Sequence, residues 1–297
     1  MDDSQLVFRE PTAEDAVWAA PLMLESHYRS CEFCFTNMLM WRHAYRTQIA
    51  GSDEQLFVRF ERDHPVYMMP IGGSLPDGIA RLTAFAHEQG YHLRLFGCER
   101  EETEMLERLY PGRFFFERFD EDADYLYTTE SLATLPGKKY HQKRNHVAAF
   151  SREHDWIYEP MTEDNRAEFL DMAEMWYAER GGDDAELVAE RMAVRELLTL
   201  PMPIGLIGGG IRVDGRIVAF TFGAPVRADT FDIHVEKALA DYGSAYAVIN
   251  REFAAHELLG KYAYINREND VGLEGLRRAK LSYHPALLLD KYLCTER

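Results

Sequence analysis

The strongest constraint on this chain is that it repeats itself. Glu10-Pro-Thr-Ala-Glu-Asp15 returns as Glu159-Pro-Met-Thr-Glu-Asp164, and Ala84-Phe-Ala-His-Glu-Gln-Gly-Tyr91 is echoed by Ala254-Ala-His-Glu-Leu-Leu-Gly-Lys-Tyr262. The offset is about half the chain, far longer than the 20–50 residues of a solenoid unit, so each copy is a domain in its own right. A length of 297 residues suits two such domains. In each copy a short strand (6–9 and 156–158) leads into the first word and a helix follows, with Thr12 and Thr162 as expected caps. Gly90 and Gly260 are expected as left-handed helix stops with a strand directly after each. Between these landmarks both halves carry a strand pair, 55–60 with 66–70 and 204–213 with 216–223. Asp214-Gly215 is a two-residue hairpin turn.

This order predicts an α+β fold with two mixed, partly antiparallel sheets flanked by helices, not a doubly wound parallel sheet. The domains are expected at 1–130 and 155–297, joined by an ordered connector at 131–154 whose helix runs over 138–152. Helices at 164–179 and 185–200 carry core faces, Phe169, Met172, Ala173 and Trp176 in one, Leu187, Met192, Leu197 and Leu198 in the other; Pro201 closes the second.

Composition excludes several classes. Apolar residues make 46% of the chain, enough for real cores, and charged residues 28%, unlike a disordered segment. A net charge of -17 argues against DNA binding over the whole surface, while leaving room for a local basic groove. No apolar run is long enough to span a membrane. The start, Met1-Asp-Asp-Ser4, does not read as a signal peptide, so a cytoplasmic location is expected. Cys31 and Cys34 form a Cys-x-x-Cys, but no second pair or spaced histidine completes a zinc set. With Cys98 and Cys294 they read as buried thiols of a reducing compartment.

Three stretches look functional. Asn266-Arg-Glu-Asn-Asp270 follows an apolar strand at 262–265 and precedes Gly272, Gly275 and a helical run ending at Pro285. Polar groups delivered by a strand into a glycine-marked loop are poor core and good site. In Thr230–Lys237, Phe231, Ile233 and Val235 alternate as the buried face, which places Asp232, His234 and Glu236 together on the other. One strand cannot wrap an ion, so this trio reads as a cleft wall and no metal is expected. Gly243-Ser-Ala245 then opens a helix, and small residues at a helix N-terminus suit an anion such as a pyrophosphate. Gly208-Gly-Gly210 has no helix after it and reads as a strand bulge or kink.

The strand, acidic residue, small-residue loop and helix resemble the GCN5-related N-acetyltransferase (GNAT) fold. That family binds the coenzyme A pyrophosphate with Gln/Arg-x-x-Gly-x-Gly/Ala; here Ala240 stands where the Gln or Arg belongs, followed by Gly243 and Ala245. Two such domains in tandem resemble the aminoacyl-tRNA-dependent transferases. Lys138-Lys-Tyr-His-Gln-Lys-Arg-Asn-His146, Asn266–Asp270 and Gly275-Leu-Arg-Arg-Ala-Lys-Leu-Ser-Tyr-His-Pro285 resemble a bacterial family related to the phosphatidylglycerol lysyltransferase C-terminal domain. The resemblance implies an acyl or aminoacyl transferase drawing on aminoacyl-tRNA or acyl-CoA, with a small-molecule or peptide acceptor carrying an amine or hydroxyl.

Under that resemblance Glu236 is the base, Glu268 and Asp270 receive a cationic amine, and Arg267 and Lys280 hold phosphate or an oxyanion. Tyr283 is the general acid. Asp232, His234 and Asn266 complete the substrate wall, and Gly243, Ser244 and Ala245 the cofactor loop. Lys138, Lys139, Lys143 and Arg144 form a basic patch for phosphates or tRNA. Two other readings stay open: a coenzyme-A-dependent N-acetyltransferase, and a non-catalytic ligand-binding protein whose polar loop is an internal salt-bridge cluster.

Overall fold

The computed structural model describes residues 6–61, 64–181, 184–200 and 205–297. Pro201 and Ile204, expected to close a helix and open a strand, lie outside them, as does the start of the chain. The first half contains α1 (Ala16–Glu25), α2 (Phe35–Trp41), β1 (Gln48–Gly51), β2 (Gln55–Glu61), β3 (Pro65–Met68) and β4 (Ile71–Gly72). It continues with α3 (Leu75–Glu88), β5 (Arg94–Cys98), α4 (Arg100–Leu109), β6 (Phe114–Arg118) and β7 (Asp124–Thr128). Helices α5 (Thr129–Thr134) and α6 (His141–Glu153) lead to β8 (Trp156–Pro160), α7 (Arg166–Arg180) and α8 (Ala185–Thr199). The second half then runs through β9 (Ile207–Val213), β10 (Arg216–Arg227), β11 (Thr230–Ala238), α9 (Ala245–Phe253) and β12 (Tyr264–Asn266). It ends with α10 (Glu274–Leu281), β13 (Leu287–Leu289) and β14 (Tyr292–Glu296).

Two mixed sheets result. One has the order β1-β2-β3-β5-β14-β6, with β4 pairing β2, and the other β13-β7-β12-β11-β10-β9-β8. Each contains one parallel pair, β3 with β5 and β11 with β12, reached through a crossover helix, α3 or α9. The repeat read in the sequence is therefore a repeat of hairpin, helix and parallel strand. Gly90 and Gly260 end their helical segments at φ +82° and +80°. Asp214 and Gly215 both take positive φ, as a type I′ hairpin turn requires. The expected strand at 6–9 reduces to a single bridge between Arg9 and Ile49, and the Arg9 guanidinium bonds Asp15 in the turn that follows.

The sheets do not part where the halves do. Strand β7 lies between β12 and β13 in the second sheet, and β14 lies between β5 and β6 in the first. Each half thus gives its last strand to the other half's sheet. The two crossing points meet at a buried ion pair: Lys291, just before β14, donates from Nζ to Asp124 Oδ1 at 2.9 Å, at the start of β7.

One apolar cluster joins the first sheet to the α7 and α8 face of the second, through Phe169, Leu197, Phe220, Phe222 and Val235. Another fills the opposite face beneath α6 and α9, with Phe150, Phe231, Ile233, Val248 and Phe253. Met192, expected in the core, is exposed; Ala193 and Val194 are buried on α8 instead. The glycine run at 208–210 is in regular register with β10, without bulge or kink. It serves close approach, since a Cβ on Gly209 would stand 2.1 Å from Tyr158 Oη and one on Gly208 would stand 2.8 Å from Met161 Cε.

Candidate functional site

Strand β11 organises the site, and a bulge organises β11. Phe222 of β10 opposes Val235 and Gly223 opposes Ile233, which leaves His234 without an opposite residue. An extra residue reverses the inside–outside alternation beyond it. Phe231 and Ile233 accordingly face α9, whereas Val235 faces the other core. The expected shared face of Asp232, His234 and Glu236 does not exist. Asp232 and His234 meet Cys34 and Glu268 on one side, and Glu236 meets Asn250 and Arg267 on the other.

On the α9 side the polar loop after β12 turns Arg267 inward. Its Nη2 donates to Glu236 Oε1 at 2.9 Å, and Asn250 Nδ2 of α9 donates to Glu236 Oε2 at 3.0 Å. The guanidinium lies 4.9 Å from the centre of the Tyr283 ring and 5.7 Å from that of Tyr127. Lys143 Nζ, from α6, sits 3.8 Å from the same Tyr283 ring. Burial, with the Arg267 charge nearby, brings the Lys143 ammonium down to about 8 despite the opposing pull of Glu236. Two polar atoms in this cluster are buried and have no hydrogen-bond partner, Arg267 Nη1 and Asn250 Oδ1. An open donor and an open acceptor thus lie in the same buried cluster as Lys143.

Other expected site residues have structural partners. Asp270 accepts two hydrogen bonds from Arg277, at 2.7 and 3.0 Å, one from the Tyr125 hydroxyl at 2.6 Å and one from the Gly272 amide at 2.9 Å. Burial works to raise its carboxyl, and these donors outweigh it, so the group titrates below the usual range. Lys280 donates to the carbonyls of Arg267 and Glu268 and is buried. Burial takes its ammonium down to about 8, helped by Arg267. These bonds tie α10 to the loop that carries Arg267. Asn266 is fully buried, donating to Arg29 O and Asp124 Oδ2 at 2.8 Å and accepting from the Glu268 amide at 2.7 Å. Glu268 itself has φ +56° and accepts from Asn37 Nδ2 at 2.6 Å. The Tyr283 ring packs against Arg267 and Lys143, while burial pushes its hydroxyl well above the ordinary phenol range.

The basic patch divides. Arg144 donates to the carbonyls of Leu135 and Gly137 and fixes the turn before α6. Lys143 points to the Tyr283 ring, and Lys138 and Lys139 are exposed on the 3-10 turn that precedes α6. That turn is tied to the Tyr283 segment by Tyr140, whose hydroxyl donates to Tyr283 O at 2.9 Å. At the cofactor loop, residues 240–242 form a 3-10 turn, Gly243 and Ser244 follow, and α9 begins at Ala245. The Ala240 amide donates to Glu179 Oε2 at 3.0 Å, so a carboxylate occupies a loop donor that an anion would seek.

Sequence reading missed Asn250, Tyr127, Asn37 and Cys34 as members of these clusters. Asn250 carried the one usable signal, a polar residue in the apolar stretch of a helix that follows the acidic strand. The others come from elements distant in sequence.

No curated protein matches the chain. Among solved structures, a conserved protein of unknown function from Bacteroides thetaiotaomicron is 38% identical, with TM-score 0.93, over 99% of this chain and 100% of that one. A C-terminal domain described as that of a lysylphosphatidylglycerol synthetase from Agrobacterium fabrum shares 14% identity and TM-score 0.71, over 96% of this chain and 92% of that one. L-PGS from Bacillus licheniformis shares 16% identity and TM-score 0.66, over 97% and 93%. The same mixed two-sheet fold is shared with FemX, at 8% identity and TM-score 0.58, over 97% of this chain and 96% of that one. The family model for the C-terminal part of phosphatidylglycerol lysyltransferase matches residues 25–295, and with that span covered the chain belongs to this family.

Proposed function

We propose that the protein transfers an aminoacyl or acyl group from an ester donor, such as an aminoacyl-tRNA, to an acceptor hydroxyl or amine in the cleft between β11, α9 and α6. The observation that carries this reading is the unpartnered Arg267 Nη1, buried beside Asn250 and Lys143. The donor's ester carbonyl accepts from Nη1, and the same N–H stabilises the oxyanion as the acceptor attacks. Glu236 holds Arg267 in that orientation. Lys143, neutral above about pH 8, takes the acceptor's proton. As the ester C–O bond breaks, that proton passes to the departing hydroxyl. Lys138 and Lys139, exposed at the edge, suit the phosphates of a tRNA or of an anionic acceptor. The family's own name supplies the most direct pair to try, a lysyl group and phosphatidylglycerol.

Coenzyme A is the weaker donor. Ala240 replaces the expected Gln or Arg, and Glu179 already holds the Ala240 amide. Arg267→Lys keeps the charge but removes the forked donor, and transfer should fall by about 10²–10³-fold. In Lys143→Met, the rise in wild-type rate through about pH 8 should disappear. Wild-type rates and pH profiles in both variants would refute the assignment.

A further inference from the structure

We infer that the protein binds a divalent metal ion, zinc by its donor chemistry, at a buried site formed by Cys34, Asp232 and His234 and flanked by Glu268. The strand alone could not enclose an ion; Cys34, just before α2 in the other half, supplies the missing donor. One donor atom from each of the three residues lies within 4.8 Å of the other two. Cys34 Sγ stands 3.8 Å from His234 Nε2, while His234 Nδ1 stands 3.2 Å from Asp232 Oδ2 and 3.5 Å from Glu268 Oε1. Donors around a tetrahedral zinc, at bonds of about 2.0–2.3 Å, are about 3.3–3.6 Å apart. The imidazole faces the sulfur with one nitrogen and the carboxylates with the other, so binding requires the ring or the thiol to rotate until one nitrogen serves both.

The buried atoms carry the argument. The side chains of Asp232 and His234 are both 0% exposed. Both Asp232 carboxylate oxygens and His234 Nδ1 lack a hydrogen-bond partner. His234 Nδ1 reaches Asp232 Oδ2 only as a 3.2 Å ion-pair contact outside hydrogen-bond geometry, and a bound cation completes what that contact leaves open. The neighbouring set shows the chain's own solution to the same problem. Cys31, Glu32 and Asp124 are grouped in the same way, and there Lys291 Nζ is the cation, 2.7 Å from Glu32, 2.9 Å from Asp124 and 3.7 Å from Cys31 Sγ. The Cys34 set has equivalent donors, and Lys280, the other buried lysine near Glu268, is engaged with backbone carbonyls. Glu268 is held at φ +56° with its carboxylate at the set's open side, a backbone strain of the kind found at binding sites. Thiolate, imidazole and carboxylate together select zinc over magnesium or calcium. Bound there, the ion ties α2 of the first half to β11 of the second.

The test is metal analysis of the full chain, followed by exchange with Co(II). The expected result is about one zinc per chain and, after exchange, a thiolate-to-cobalt charge-transfer band with four-coordinate visible absorption. Cys34→Ser should lose the charge-transfer band, whereas Cys98→Ser, at a buried thiol elsewhere, should retain it. If Cys34→Ser does not fold, the wild-type cobalt spectrum alone decides. A wild-type chain with far less than one metal ion and no charge-transfer band overturns the inference, as does a band that persists in folded Cys34→Ser.

Discussion

Lys280 is chemically conspicuous, and its partners in the fold are backbone carbonyls. Its ammonium is buried under the loop that carries Arg267 and donates to two loop carbonyls. Because it titrates near 8 when folded and at 10.5 when free, the unfolded chain holds more protons between those values. Stability must therefore rise with pH across that window. Urea midpoints of the wild type should climb from pH 8 to 10 relative to Lys280→Met; parallel curves would contradict this. The sequence made Lys280, Asp270 and Asn266 look like ligand-binding groups because polar residues clustered after a strand. What it did not carry was their partners, Arg277, Tyr125, Asp124 and the loop's own carbonyls. Arg267 and Glu236 were each picked out by the sequence as polar groups near strand ends, and the fold pairs them. The unpartnered Nη1 that distinguishes Arg267 from the rest depends on packing and is not written in residue order.

At the scale of elements, the bulge in β11 decides which groups share a cleft. Simple alternation put Asp232, His234 and Glu236 on one face; the additional residue at His234 separates them into two sites. Gly223 permits it, because a Cβ there would lie 1.8 Å from the Asp232 carbonyl oxygen. Gly223→Ala must move one backbone or the other, at a cost of about 1–3 kcal/mol, the range of overpacked core positions. Thermal unfolding should show a correspondingly lowered midpoint, and an unchanged one would mean that the bulge does not rely on glycine. Hairpins, crossover helices and stop glycines were all visible in the sequence, because local turn chemistry and periodicity set them. The bulge was hidden, since it arises from two strands paired out of step and neither strand alone reports it.

For the whole molecule, the reciprocal exchange of β7 and β14 interlocks the two halves, which should therefore unfold together. The sequence revealed the duplication but not the exchange, because either pairing satisfies the same alternation of buried residues. Lys291 locks the exchange at its crossing point, against two carboxylates in the interior. Lys291→Met leaves Asp124 and Glu32 without their cation and should cost about 3–5 kcal/mol, measured as a loss of denaturation midpoint in both sheets together. Independent unfolding of the halves would contradict that coupling. The same framework brings Tyr127 of β7 beside Arg267, so the first half contributes a wall to the proposed cleft. The most direct measurement follows label from a lysyl-tRNA carrying radioactive lysine into phosphatidylglycerol vesicles or a soluble amine, alongside an acetyl-CoA control. The account predicts label in an acceptor, sharply reduced by Arg267→Lys, and no acetyl transfer. Acetyl transfer from coenzyme A, or no transfer from either donor to any acceptor, would contradict it.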